Sequence, residues 1–419
     1  MQTLIIGGGL IGLATAQVLA GRGENVRVLE AREGVGLETS FANGGMLTPS
    51  MAEPWNGPGV YRDLAASLFR PSPSMQLRFR AIPSLISWGI AFLRNSTPDR
   101  FFAAIADNYR LAIYSRDKTL SLARNEQFAY DQLDAGTLCV FRDKDEMVER
   151  RAINDHIASC GMTFRELRRH EIVTIEPLLD DVADKLVGGF WYPDDASGDA
   201  HLFCQELARA IVEQGGEIDC NMQVSSILDK NGTVCGVDTN RGRIDADRVV
   251  VAAGALSPAL LEPLGFSLPV KPAKGYSLTF KCDGLGALPG VPIVDESSHA
   301  VVSPFGDRIR IVGTAEFDGF DKSIKRFRLD HLFSVLDGLL PRLTSKLSRD
   351  DGQAWAGLRP MSSDGRPFIG PTGIAGLYVN AGHGALGWTM AMGSAHLLAD
   401  QILQTPTEID KQPFLPIRR

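Results

Sequence analysis

The residues best suited to chemistry in this 419-residue chain fall in three glycine-bearing clusters. The first is Gly7-x-Gly9-x-x-Gly12, between an apolar β-type run at 3–6 and an uncharged helical pattern at 10–20. In such a turn the first glycine permits the tight bend and the second lets backbone approach a pyrophosphate. The third lets helix and strand pack closely. The helix start, with Leu10 and Ile11 in its first turn, offers unpaired N–H groups and a positive dipole end to phosphate oxygens. Glu30 follows Gly12 by eighteen residues, at the end of a second β-type run. With Ala31 beside it, this carboxylate can accept both hydroxyls of an adenosine ribose, which favours an unphosphorylated ribose. The competing reading is a glycine-rich turn with no ligand, and the strand, helix and acidic residue together weigh against it.

The second cluster closes a β-branched run, Val249-Val-Val-Ala-Ala253-Gly254. A buried parallel strand needs such a run where it passes beneath a cofactor, so Ala253 and Gly254 are candidate contacts. Val224, ending a strand pattern at 217–224, is a candidate adenine contact through its backbone. The third cluster is Gly357-Leu-Arg359-Pro together with Gly382-His383-Gly384-Ala-Leu386-Gly387-Trp388-Thr389, immediately before a helical pattern at 387–403. A helix start stabilises negative charge. A flavin gains such charge around N1 and the C2 oxygen on reduction, whereas a nicotinamide becomes neutral. This cluster therefore points to FAD rather than NAD.

Arg359 is the first candidate for a substrate anchor, because a guanidinium holds a carboxylate in a two-pronged fork. Its alternative is a structural ion pair with Asp364. Tyr276 sits in a β-type run at 271–281 and either hydrogen-bonds the same carboxylate or packs as a strand aromatic. His383 either touches flavin or substrate, tuning the local charge, or caps its loop. Trp55 and Trp388 read as packing residues. Thr39, Ser40, Asn43, Gly44, Gly45 and Met46 follow the second strand. Their hydroxyls, amide and flexible backbone suit ribityl and pyrophosphate oxygens.

Placing these clusters together requires a particular set of elements. The βαβ unit at 3–29 is followed by an extended loop at 34–60 and a largely helical stretch at 60–124. Strands are expected at 136–142, 188–193, 234–239, 248–253, 271–281, 300–315 and 376–380. Helices are expected at 146–160, 202–214 and 329–340. The interleaving describes an α/β chain of two discontinuous domains. A Rossmann-like FAD-binding domain takes 1–80, 195–270 and 350–419. An α+β substrate-binding domain takes 81–194 and 271–349, on a mixed or antiparallel sheet with helices.

Hydrophobic content of 44% and charged content of 22% are those of an ordinary globular chain. A net charge of −7 argues against nucleic acid as a partner, since phosphate binding needs a concentrated basic face. Six cysteines without C-x-x-C and seven histidines without H-E-x-x-H give no metal site or disulfide framework, and fit a reducing cytoplasm. The uncharged stretch at 3–20 mimics a signal peptide or membrane span, but no Lys or Arg precedes it and glycines interrupt it.

With Glu38-Thr-Ser-x-x-Asn43-Gly-Gly and Ala52-Glu-Pro-Trp-Asn-x-Pro-Gly59, these clusters resemble the D-amino-acid oxidase superfamily of flavoenzymes. Within it they are most similar to the bacterial D-amino-acid dehydrogenase small-subunit group, across residues 3 to 403. The resemblance implies a two-domain enzyme with non-covalent FAD. Hydride would leave the α-carbon of an amino acid for flavin N5, and the imine would hydrolyse to a 2-oxo acid and ammonia. Electrons would pass to a quinone or other acceptor. Some relatives attach FAD through a Cys near Gly-Leu-Arg-Pro, but no Cys lies in 283–419 here. No obligatory side-chain base is implied, so proximity and orientation would supply much of the rate.

Other readings stay open at this stage. One is a flavoenzyme for a secondary or cyclic amine such as sarcosine, glycine, D-proline or hydroxyproline. Another is a non-catalytic FAD-binding subunit, and the sequence leaves a homo-oligomer or hetero-oligomer equally open. Residues 82–93 carry no charge and are too short to span a bilayer. They form either an interfacial helix flanked by Arg78, Arg80 and Arg94, docking on the inner face of the cell membrane, or a buried helix of the substrate half. The buried helix is the favoured expectation.

Overall fold

A computed structural model describes residues 1–61 and 75–418. The part of the expected helical stretch at 62–74, within the segment 1–80, lies outside the described residues. A six-stranded sheet runs in the order Phe368–Pro371, Leu377–Ala381, Arg248–Val251, Gln2–Ile6, Asn25–Leu29, Glu217–Asp219. All neighbours are parallel except the edge strand Phe368–Pro371. Both faces are covered, which is why its strands read as unbroken apolar runs. Ile5, Val28 and Val250 pack into one core with residues of the helices Leu10–Ala20, Ala200–Glu213 and Gly387–Leu403. Leu4, Leu29, Val249 and Val251 pack on the other side with Ile227 and Val237. Those two residues come from a three-stranded antiparallel sheet of Val224–Lys230, Thr233–Thr239 and Gly242–Asp245.

The second large sheet is mixed and nine-stranded. Its path is Gln353–Ser362, Val270–Lys281, Arg308–Phe317, Ala300–Phe305, Ile293–Asp295, Thr137–Phe141, Gly188–Tyr192, Arg165–Leu167, with Met75–Leu77 beside Arg308–Phe317. Leu332, Leu336 and Leu339 of the helix Arg326–Leu339 belong to its core. The α/β class with a mixed second sheet agrees with the sequence, and the apparent membrane stretch at 3–20 is a strand, a glycine turn and a helix. Among the described residues no helix is long and apolar enough to cross a membrane.

Three expectations are corrected. Gln353–Ser362 falls in the segment 350–419, yet pairs along its length with Val270–Lys281, aligning Ala273 with Arg359. The third cluster is thus split between sheets. The single strand at 217–224 is two: Glu217–Asp219 ends, Asn221 turns at φ 54, and Val224 opens a strand of another sheet. The helix Ile82–Arg94 is not buried as a whole. Trp88 and Phe92 pack with Ala273, Phe317 and Met361, while Ile86, Ile90 and Leu93 are exposed. Helical spacing of four residues puts 88 and 92 on one face and 86, 90 and 93 on the other.

Candidate active site

The carboxyl ends of four parallel strands open onto a cavity of about 1670 Å³, which the large sheet also lines. Ligands of open α/β sheets bind at this end of the strands, where loops rather than side-chain packing fill the space. Gly7 turns there at φ +113, and a Cβ on it would sit 2.6 Å from the Ala252 carbonyl oxygen. Only glycine fits such a turn. Gly9, Leu10 and Ile11 line the cavity, as do Ala31, Thr39, Ser40, Asn43, Gly44, Gly45, Met46, Val224, Ala253 and Gly254. Gly357, Gly382, His383, Gly384, Leu386, Gly387, Trp388 and Thr389 line it too. Gly12 does not: it lies under the turn, where a Cβ would overlap the Gly7 carbonyl oxygen. It serves helix–strand packing and does not touch the cavity.

Several expected ligand groups already hold the protein to itself. Glu30, 8% exposed, accepts Gly8 N at 2.6 Å through one oxygen and Arg32 N at 2.8 Å through the other. Each oxygen keeps a second lone pair for a ribose hydroxyl. The Thr39 hydroxyl donates to Leu358 O at 2.8 Å, tying the loop to the Arg359 strand. Ser40 Oγ accepts Leu10 N at 3.2 Å, and Asn43 Oδ1 accepts Gly45 N at 2.9 Å. Thr389 Oγ1 donates to Met46 O at 3.2 Å and accepts Thr48 N at 3.0 Å. Trp388 is buried, with Nε1 donating to Gly198 O at 3.2 Å.

Arg359 is half-buried, and desolvation lowers its guanidinium to about 10, still cationic at neutral pH. Among the described residues it pairs with no carboxylate; Asp364 is held by Arg418 at 2.6 and 2.7 Å instead, so the Asp364 alternative fails. One N–H of Arg359 donates to Thr314 O at 2.9 Å, and the guanidinium carbon lies 5.5 Å from the Trp55 ring. Its third support is Gly275, where a Cβ would collide with the guanidinium. Thr314 sits at φ 68, strained for a β-branched residue. It marks a bulge: the register passes from Lys274↔Glu316 to Tyr276↔Gly313, leaving an extra residue on the Arg308–Phe317 strand.

Tyr276 lines the cavity, but its hydroxyl donates to Glu316 Oε2 at 2.7 Å. The expectation that it shares a carboxylate with Arg359 is corrected, because a phenol has one proton to donate and Glu316 takes it. Burial and that bond raise the Tyr276 hydroxyl well above its ordinary value. His383 is buried, with Nε2 2.9 Å from Ser394 Oγ and Nδ1 without a partner. Burial lowers it to about 3, so the ring is neutral. A neutral imidazole with one buried free nitrogen suits hydrogen bonding to a polar ring edge, not storage of positive charge.

A family model described as "FAD dependent oxidoreductase" matches residues 2–401. The chain belongs to this family. It is 39% identical over 410 residues to D-amino acid dehydrogenase of Paramagnetospirillum magneticum, covering 98% of this chain and 96% of the relative. It is 36% identical over 400 residues to D-amino acid dehydrogenase of Vibrio cholerae, covering 96% and 94%. Among solved structures, glycine oxidase from Geobacillus kaustophilus superposes with a TM-score of 0.77 at 22% identity, over 100% of this chain and 98% of that one. L-proline dehydrogenase from P. horikoshii gives 0.77 at 20% identity, over 99% and 96%. These two share the fold.

The residues of this FAD-dependent oxidoreductase fit its cofactor. The glycine turn brings backbone to the cavity, Glu30 has lone pairs to spare, and the unpaired His383 Nδ1 is a buried polar atom in want of a partner. Sequence reasoning missed Thr314, Gly275 and Glu316. Gly275 stands opposite Gly357 in the strand pair, where two facing glycines leave room for a side chain above them, but the sequence does not show that pairing. Thr314 carried no signal, because nothing in a Gly-Thr-Ala run announces a bulge.

Proposed function

We propose that this enzyme oxidises D-amino acids at the α-carbon, yielding a 2-oxo acid and ammonia. The observation that carries the reading is Arg359, a half-buried cation in the cavity wall that has no carboxylate partner among the described residues. A partly desolvated charge facing a cavity is completed by an anionic ligand, and its fork suits an amino-acid carboxylate. Relatives that span nearly the whole chain and are named D-amino acid dehydrogenase support both substrate class and hand. Thr314 O, Gly275 and the Trp55 ring hold the guanidinium in one orientation, so the substrate is positioned before it reacts. FAD, when bound, supplies the acceptor for the hydride that leaves the α-carbon. His383 is neutral and Tyr276 is committed to Glu316, so the amine binds in its neutral form, having lost its proton to water. Hydrolysis of the imine then needs only water.

The test is an anaerobic visible spectrum of the purified protein while D-alanine, L-alanine, D-proline and sarcosine are added in turn. Loss of the oxidised flavin band with D-alanine but not L-alanine supports the reading. Bleaching by D-proline or sarcosine alone would move the assignment to a secondary amine, and a flavin that no amine reduces would indicate a non-catalytic subunit.

The electron acceptor we propose is a membrane quinone, reached through the helix Ile82–Arg94. Its exposed Ile86, Ile90 and Leu93, with Phe79 before it and Arg94 at its end, form an apolar face with a basic border. Such a face sits at the headgroup boundary of an anionic bilayer. Replacing Ile86 and Ile90 together by glutamate is expected to weaken flotation with anionic liposomes roughly tenfold or more. Turnover with a soluble dye should persist. Equal flotation of both proteins would remove this surface from the proposal.

A further inference from the structure

The cavity has a second charged wall, formed by Glu53, Arg150 and Glu296. Arg150, on the helix Lys144–Ala158, is 8% exposed and pairs with Glu53 and, at 2.6 Å, with Glu296. Two carboxylates face one guanidinium, leaving an excess negative charge. The other ionisable groups packed here are His299, which lines the cavity, and Glu146, which accepts the Ser297 hydroxyl at 2.6 Å. Arg142 and Asp295 pair with each other at 3.1 Å. The second oxygen of Glu296 faces the Cys139 thiol at 3.7 Å. The second oxygen of Glu53 is buried and has no hydrogen-bond partner among the described residues. A buried carboxylate oxygen lacking a donor is unfavourable until a donor arrives.

We propose that Glu53 selects amino acids whose side chain ends in a cation, an amine or guanidinium, with Arg150 and Glu296 holding its carboxylate in place. This rests on the D-amino-acid reading and on Arg359 as the carboxylate anchor. Residues 53–55 then address both ends of one ligand: Glu53 faces its far end, and Trp55 supports Arg359. The backbone between them is at most about 7 Å long. Phe101, Ile153 and Val301 line the same cavity and suit the methylene stem of a long side chain. A second carboxylate on the substrate would meet excess negative charge, so acidic side chains are disfavoured.

The experiment compares D-lysine with D-norleucine, which lacks the ε-amine, and with D-glutamate, in the holoenzyme and in Glu53→Gln. The wild type should favour D-lysine over D-norleucine by about tenfold or more in kcat/KM, expressed in KM, with D-glutamate poorest. Glu53→Gln should collapse that preference by about tenfold. A ratio near unity in the wild type, with D-norleucine turned over, would overturn the proposal while leaving the D-amino-acid reading intact. If no D-amino acid is turned over, that reading fails. The flavin spectrum still judges Glu53, because 6-aminohexanoate should then perturb it at lower concentration than hexanoate. Equal potency would overturn the assignment, as it would if the variant did not fold.

Discussion

Arg359→Lys is expected to lower kcat/KM for D-alanine by about a hundred- to a thousand-fold while the protein still folds and retains FAD. Breaking a buried, hydrogen-bonded charge pair costs about 2–5 kcal/mol, and each 1.4 kcal/mol is about tenfold. Lysine keeps the charge but loses the fork. It cannot grip two carboxylate oxygens while also donating to Thr314 O, and it lacks the planar face that Arg359 presents to Trp55. A second variant, Gly275→Ala, leaves Arg359 in place but puts a methyl group where its guanidinium lies. It should raise KM in the same direction, because the anchor must move. Steady-state kinetics with spectroscopic FAD quantification checks both. An Arg359→Lys protein with wild-type kcat/KM would remove this residue from the substrate.

Glu316→Gln is expected to destabilise the fold by about 3–5 kcal/mol, because it removes the one carboxylate shared by a set of cations. Glu316 is 0% exposed and receives Tyr276 Oη at 2.7 Å, Arg328 at 3.1 Å, Lys274 and Lys325 at 3.2 Å, and Arg78 at 3.3 Å. Lys274 itself is 0% exposed and Arg328 1%. The amide preserves shape but leaves those charges short of a counter-ion. Burial pushes the Glu316 carboxyl upward, yet the Tyr276 hydroxyl, Arg328 and Lys325 outweigh it and hold it at about 2. A carboxyl lowered on folding stabilises fully above its ordinary value, near 4.5, and the contribution fades as pH falls towards 2. The gap between wild type and Glu316→Gln in urea unfolding should therefore be widest at pH 7 and narrower at pH 3. A variant as stable as the wild type at pH 7 would show that Asp318, 3.3 Å from Lys325, and Asp321, 3.6 Å from Lys274, already balance these cations.

The glycine turn and the strand leading to Gly254 are legible because their demands are local. A turn against a pyrophosphate needs glycine at fixed spacing, and a strand covered on both faces needs an unbroken apolar run. Arg359 stands out as a candidate in the same way, through its setting in Gly-Leu-Arg-Pro. What surrounds Arg359 was not legible, because it is made by pairing between distant segments. Its strand joins the large sheet through Val270–Lys281, some eighty residues earlier, and Thr314 arrives from a third strand through a register shift. Tyr276 was placed on the right wall, but the destination of its hydroxyl depended on Glu316 of the neighbouring strand. In the helix Ile82–Arg94 the spacing of Trp88 and Phe92 against Ile86, Ile90 and Leu93 was present throughout. With no charged residue between 82 and 93, nothing marked which face was wet.

Strand order also governs when this protein becomes competent during its own synthesis. Gln2–Ile6 lies between Asn25–Leu29 and Arg248–Val251, and the latter is flanked in turn by Leu377–Ala381. A chain emerging from the ribosome can form the first βαβ unit early, but one edge of its opening strand stays bare until residue 251 appears. The Ala252 carbonyl against which Gly7 turns is missing for the same interval. Bare apolar edges invite pairing with other chains, so this edge is open to mispairing until Arg248–Val251 docks on it. The cofactor cavity draws on residues as far apart as Gly7 and Thr389, so it forms only after distant strands have paired. Leu377–Ala381 closes the other edge of Arg248–Val251 and leads to the cavity residues Asn380 and Ala381, so the flavin site is complete only once that strand has paired.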